Sequence, residues 1–262
     1  WGVSAAAPVA GRSPNASQNY RWGRALFDFA WEFGESLTSP PYRGTRLRGR
    51  WLDVTDGTGR ANHNNGGVGL DSSAAGARAT LPDRGTTSVT LKGNAQKYGR
   101  WEIRMRSLSR ESAAQDYWVR MELVPERAAD YHCGAQNITI ARYRIHDRSI
   151  TVGANALARN RSWTYTKRSV ALENTSHNFG VEVAKDHITW FLDGSPIAAV
   201  RSRDAVSDVP MTLRLVLEGD GETEMNRTRS IYDWQRAWTL KSGKQVKRAP
   251  GKMTVGTHDE TC

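Results

Sequence analysis

Three features of this sequence predict an all-β chain, folded as a sandwich of antiparallel sheets. Apolar–polar alternation of period two recurs in short stretches, Gly, Asn and Pro punctuate those stretches, and helical periodicity is nearly absent. A chain of 262 residues can bury a substantial core, and all-β sandwiches of this size commonly form one domain.

Taken in order, residues 1–20 are rich in Ala, Ser, Pro and Asn and read as a flexible leader. Residues 56–67 combine Gly57, Gly59, Gly66 and Gly67 with the run Asn62-His63-Asn64-Asn65 and read as a loop. A lone His among amides there suits a polar turn better than a metal site. Residues 86–91 and 101–106 alternate as half-buried strands do, and 117–121 forms an aromatic strand. The run 188–192 enters Asp193-Gly194, a strong two-residue hairpin signal. Beyond Trp238 the stretch 241–248 is basic and polar, so 241–262 reads as a solvated tail and the sandwich domain as 21–240.

A formal net charge of +10 and a pI near 9.9 imply attraction to polyanions: an acidic glycan, a teichoic-acid-like polymer, an anionic membrane face or nucleic acid. The positive residues are scattered rather than gathered into runs, so a merely solvated basic surface is an equal reading. Arg outnumbers Lys, which favours bidentate contacts to carboxylate or phosphate groups. Cys133 and Cys262 fit no metal-ligand spacing. Paired, they would pin the tail beside residues 136–142 and imply an oxidising compartment; unpaired, they are two thiols. No apolar run reaches the roughly 18 residues that span a bilayer. The chain opens at Trp1 without Met, which reads as a processed product.

Six segments follow one another in an informative order. They are Lys97-Tyr98-Gly99-Arg100-Trp101-Glu102-Ile103-Arg104-Met105-Arg106, Tyr117-Trp118-Val119-Arg120-Met121, His177-Asn178-Phe179-Gly180-Val181-Glu182-Val183, Ile188-Thr189-Trp190-Phe191-Leu192-Asp193-Gly194, and Pro210 to Leu217 with Tyr232-Asp233-Trp234-Gln235-Arg236 closing the series. Between the second and third lies Gln136-Asn137-Ile138-Thr139-Ile140-Ala141-Arg142. In order and spacing the set resembles glycoside hydrolase family 16, the laminarinase, lichenase and agarase group, from about residue 25 to about residue 240.

That resemblance implies a concanavalin A-like β-jelly roll with a concave cleft. It also implies a strand carrying E-x-D-x-(x)-E, with a nucleophilic Glu, a supporting Asp and an acid/base Glu. A retaining glycosidase needs two such carboxyl groups roughly 5–5.5 Å apart. Matching Ile138 and Ile140 to the apolar spacers puts Asn137 at the nucleophile, Thr139 at the Asp and Arg142 at the acid/base; the shorter motif would use Ala141. The one E-x-D-x-E of the chain, Glu218-Gly219-Asp220-Gly221-Glu222, falls after the segment Pro210 to Leu217 and not between the second and third segments, where the family order calls for the motif. An amide cannot form the glycosyl ester, and a guanidinium cannot donate and recover a proton at ordinary pH, so the family chemistry is expected to be absent.

By the same resemblance Glu102 and Arg104 face the cleft, with Arg100 and Arg106 following. Trp118 takes the place of a substrate-stacking aromatic, and strand alternation then adds Arg120 and Glu122. Val216 and Glu218 line the opposite strand. The expected floor holds Glu102, Glu122 and Glu218 among Arg104, Arg120 and Arg142, either as a self-neutralising network or as a glycan-binding groove. Trp22, Trp31, Trp51, Trp163 and Trp238 extend that platform or, as most aromatics do, pack in the core.

Three functions are compatible with these residues. The first is a secreted, catalytically degenerate domain that binds a carbohydrate polymer, an acidic one by its charge, through Glu102, Arg104, Trp118, Arg120 and Arg142. The second is an enzyme with relocated chemistry, using Glu122 and Glu218, or using Arg142, Tyr143 and His146 for elimination from a uronate. The third is a structural envelope or protein-interaction module. An extracellular glycan is the expected partner ahead of nucleic acid, and no cofactor or metal is expected.

Overall fold

The computed structural model describes residues 12–31, 50–64, 66–74, 81–109, 114–127, 136–156 and 160–258. Within them a four-residue helix, α1 (Ala16–Asn19), precedes sixteen strands. They run β1 (Phe27–Ala30), β2 (Trp51–Thr55), β3 (Arg60–Asn64), β4 (Gly67–Asp71), β5 (Thr87–Leu91), β6 (Gly99–Ser109), β7 (Trp118–Pro125) and β8 (Gln136–Tyr143). Then follow β9 (Ser149–Ala156), β10 (Arg161–Arg168), β11 (His177–Val183), β12 (Ile188–Leu192), β13 (Ser195–Val200), β14 (Met211–Glu218), β15 (Thr228–Trp238) and β16 (Thr254–Gly256).

Two antiparallel sheets face each other, as the sequence patterning requires. Sheet A runs β13-β12-β11-β6-β15-β4-β3, with β1 also on β15; sheet B runs β16-β10-β9-β8-β7-β14-β5-β2. One continuous core fills the space between them. Trp101, Ile103 and Met105 of β6 point into it from sheet A, and Val119, Met121 and Leu123 of β7 from sheet B. Side chains of a strand alternate, so the residues between these, Arg100, Glu102 and Arg104 on one sheet and Trp118, Arg120 and Glu122 on the other, point outward from opposite sides of the sandwich.

The predicted hairpin joins β12 to β13 through Asp193 (φ 47°) and Gly194 (φ 76°). Both lie in the left-handed region that a type I′ turn demands. A Cβ on Gly194 would also stand 2.3 Å from the Ser13 carbonyl oxygen, because the N-terminal segment packs against the turn.

Three expectations are corrected here. The final part of the presumed flexible leader, from residue 12, is docked on the outer face of sheet A: Asn178 Nδ2 donates to the Pro14 carbonyl, and the first free N–H groups of α1 meet the Glu102 carboxylate. A helix start leaves such donors unsatisfied, and a buried anion satisfies them. The presumed solvated tail is likewise tied down. Ser242 and Val246 bond to the same face, Gly251 donates to the Ile197 carbonyl, and β16 then adds an edge strand to sheet B beside β10. Finally, the presumed loop 56–67 contains β3, in which Asn62, His63 and Asn64 are buried and His63 Nε2 lies 2.9 Å from Asp53 Oδ2. Tertiary pairing of β3 with β4 overrides the turn-like composition.

Candidate functional site on the outer face of sheet B

The register of sheet B builds this face row by row. Trp118 stands opposite Glu218; Arg120 stands between Val216 and Arg142; Glu122 stands between Arg214 and Thr139; Asn137 stands opposite Asn155. A β-bulge places two residues of β8, Ile140 and Ala141, against the single step between Met121 and Glu122. Both are buried, while Arg142 comes out on the same side as Asn137 and Thr139. The bulge therefore resolves the choice between the two motif spacings: the longer one applies, and Arg142 rather than Ala141 reaches the face. A bulge breaks the ladder locally. The Thr139 carbonyl accepts instead from Trp190 Nε1 at 2.9 Å, an indole of the core reaching across from sheet A.

At the centre of the face the Glu122 carboxylate is fully buried. Asn137 Nδ2 donates to it at 2.9 Å, and Asn155 Nδ2 donates to Asn137 Oδ1 at 2.9 Å. Arg120 Nε lies 3.6 Å from Glu122 and Arg214 Nε 3.7 Å from its other oxygen. The half-exposed Glu218 lies 3.3 Å from the Arg120 Nη1 atom. Neither carboxylate is therefore an unengaged acid: both are held by Arg120. Nearby, the guanidinium of Arg142 lies 3.8 Å from the Trp118 ring centroid and that of Arg144 lies 4.7 Å from it. Burial, followed by the Arg120 and Arg144 charges and against the pull of Glu218, holds the Arg142 guanidinium below its ordinary pKa. Arg120, Arg142, Arg144 and Arg214 meet Glu122 and Glu218 on this face, and Arg144 also pairs with Asp147 at its edge.

The structure divides the residues proposed from sequence. Trp118, Arg120, Glu122, Asn137, Thr139, Arg142 and Glu218 do share one face, with the pairings above. Glu102 and Arg104 do not. Their strand, β6, lies in sheet A, where Glu102 is sealed beneath α1 and accepts from Ala16 N at 2.5 Å and from Ser17 Oγ at 2.6 Å. Burial nonetheless pushes its carboxyl above the usual range. Arg104 pairs with Asp233 at 3.4 Å on that same far side. Alternation had correctly placed them outward, but outward from the wrong sheet.

The elimination trio is also separated. Tyr143 is buried in the core with its hydroxyl 2.9 Å from Ser107 Oγ, and burial pushes its phenol up. His146 sits past the end of β8 with its Nδ1 2.6 Å from Asp116. Trp22, Trp51, Trp163 and Trp238 are buried and extend no platform. Among the described residues no cluster of His, Cys, Asp and Glu could hold a metal ion. The disulfide expected between Cys133 and Cys262 lies outside the described residues.

Sequence reasoning missed Arg144, Arg214 and Asn155. Arg214 was available, since it is two residues before Val216 on the same strand and alternation carries it to the same face. Arg144 was available in the same way, two residues past Arg142, whereas Asn155 depended on the pairing of β8 with β9.

No protein-family model matches this sequence, and no curated protein matches it. Solved structures do. The laminarinase catalytic domain of Thermotoga maritima is similar with a TM-score of 0.61 at 16% identity, covering 84% of this chain and 99% of that one. The endo-β-1,3-glucanase of Pyrococcus furiosus gives 0.59 at 14% identity over 84% and 95%. A mutant endo-β-1,3(4)-glucanase of glycoside hydrolase family 16, crystallised with an oligosaccharide at its active site, gives 0.60 at 12% identity over 82% and 94%. The chain thus has the jelly-roll fold of the family 16 glucanases, as its ordered segments implied.

Proposed function

We propose that this protein is a secreted binder of a carbohydrate polymer that holds its ligand on the outer face of sheet B without hydrolysing it. The observation that carries the proposal is the occupancy of the row Asn137, Thr139, Arg142. An amide, a hydroxyl and a guanidinium stand where the resemblance calls for carboxylates, on a scaffold shared with enzymes that take polysaccharides. The face is rich in side chains that bond sugar hydroxyls, including Asn137, Asn155 and Thr151 with Thr166.

A relocated hydrolase built on Glu122 and Glu218 has less support. Such a reaction needs one carboxyl ionised to attack or activate water and another protonated for the leaving group. Here both lie against Arg120, and Glu122 in addition accepts from Asn137, so the two carboxyls share one cation and nothing in their contacts divides those roles between them.

Affinity electrophoresis against a panel of soluble β-glucans and uronate-bearing polymers, with reducing-end release measured on each polymer retained, tests the reading. Retention with release at background is expected. Release that disappears in Glu122→Gln would instead establish a relocated enzyme, and retention of no polymer would sink the proposal. Export is checked separately by locating the protein in culture medium against cell lysate.

A further inference from the structure

Resting on the polysaccharide reading, we infer that Arg142 and Arg144, carried on the Trp118 ring, form a seat for an anionic substituent of the polymer, a sulfate ester or a carboxylate. Trp118 on this view does not stack on sugar. Its ring supports guanidiniums instead, an arrangement that fixes their planes and leaves their N–H groups to a ligand.

The argument turns on which cations of the face are already compensated. Arg120 lies near Glu122 and Glu218, Arg214 near Glu122, and Arg144 donates through Nε to Asp147 at 2.9 Å. Arg142 has no ion pair among the described residues, and its Nε is buried without a hydrogen-bond partner. A half-buried guanidinium with unspent donors, pressed between two other arginines, is a costly arrangement unless an anion completes it.

The opposite sheet supplies an internal control. There Arg236 lies 4.3 Å from the Trp234 centroid in the same cation–π manner, yet its Nε also donates to Asp28 at 2.8 Å. One Arg-on-Trp pair is closed by a carboxylate of the chain; the other is left for a carboxylate or sulfate from outside. Both oxyanions accept two parallel N–H bonds from a guanidinium fork.

The probes are a neutral β-1,3-glucan, its sulfated derivative and its carboxymethylated derivative, matched in length and titrated calorimetrically at low and high salt. The wild type should bind at least one charged derivative about tenfold more tightly than the neutral parent, the worth of one charge-assisted contact. Which derivative gains identifies sulfate or carboxylate as the source. Arg142→Gln should remove the preference, bringing charged and neutral polymers to within about twofold of each other. Trp118→Leu should weaken the preference, and Trp118→Phe should retain most of it. Arg236→Gln lowers net charge by the same unit and should leave the preference intact. Equal binding of charged and neutral polymers by the wild type overturns the seat while sparing the polysaccharide reading. So does a preference that survives Arg142→Gln, or one that Arg236→Gln removes equally. Binding of no polymer sinks both.

Discussion

The two outer faces of the sandwich carry similar residue types and treat them in opposite ways. On sheet A, Arg100 and Glu182 are fully buried and joined at 2.7 Å, and His187 Nε2 lies 2.9 Å from the other Glu182 oxygen. Backbone from the C-terminal segment finishes the network: Val246 N donates to Glu182, and the Ser242 carbonyl accepts from Arg100. Arg100, Glu182 and His187 are thus joined in one network, and the terminal segments pack over it. On sheet B, Arg120 and Arg214 lie near Glu122 and Arg144 pairs with Asp147, while Arg142 has no ion pair among the described residues and a buried Nε without a partner. Compensated charges hold the chain together, and the proposed seat rests on Arg142 lacking such compensation.

The largest effect should come from breaking the closed network. Glu182→Ala leaves Arg100 and His187 buried without their common partner and should cost about 3–5 kcal/mol in denaturant unfolding. A loss below 1 kcal/mol would mean that the covered face is not structural, and the comparison would collapse. Trp190→Phe should come next. It removes the indole that satisfies the Thr139 carbonyl at the bulge, with an expected cost of about 1–3 kcal/mol, and faster amide exchange in β8 would be its local signature.

A smaller effect should appear as a tilt with pH. Burial lowers the His187 pKa, but Glu182 and Asp186 overcome this and leave it above the ordinary value. A group raised in the folded state contributes fully below its unfolded pKa, about 6.5, and the contribution is lost as pH rises through the folded value. Stability should therefore decline as pH rises above about 6.5, and His187→Gln should flatten that slope; an unchanged slope would exclude His187 as its source. The smallest change is expected at Arg142→Gln. The lost contact with Trp118 and the relief of repulsion from Arg120 and Arg144 oppose each other, so unfolding should shift by less than about 1 kcal/mol. A large loss would make Arg142 a structural residue and erase the contrast between the faces.

The sequence by itself determined strands such as β5, β6 and β12, because a two-residue period with turn residues between the runs is a local property of the backbone and its side chains. It also determined that Asn137 and Thr139 share a side of their strand, as Trp118, Arg120 and Glu122 do of theirs, since alternation within a strand needs no knowledge of its partner. Which sheet a strand joins is different: it depends on pairing between residues far apart in the chain. Glu102 and Arg104 were therefore placed outward correctly and on the wrong side of the molecule. The bulge that brings Arg142 rather than Ala141 to the surface, and the Trp190 indole that satisfies the backbone there, likewise exist only once the sheets face each other. The same holds for residues 12–20 and 241–258. Their polar, Gly- and Ser-containing composition reads as loose chain, and order came from buried partners, Glu102, Arg100 and Glu182, on strands that local sequence could not connect to them.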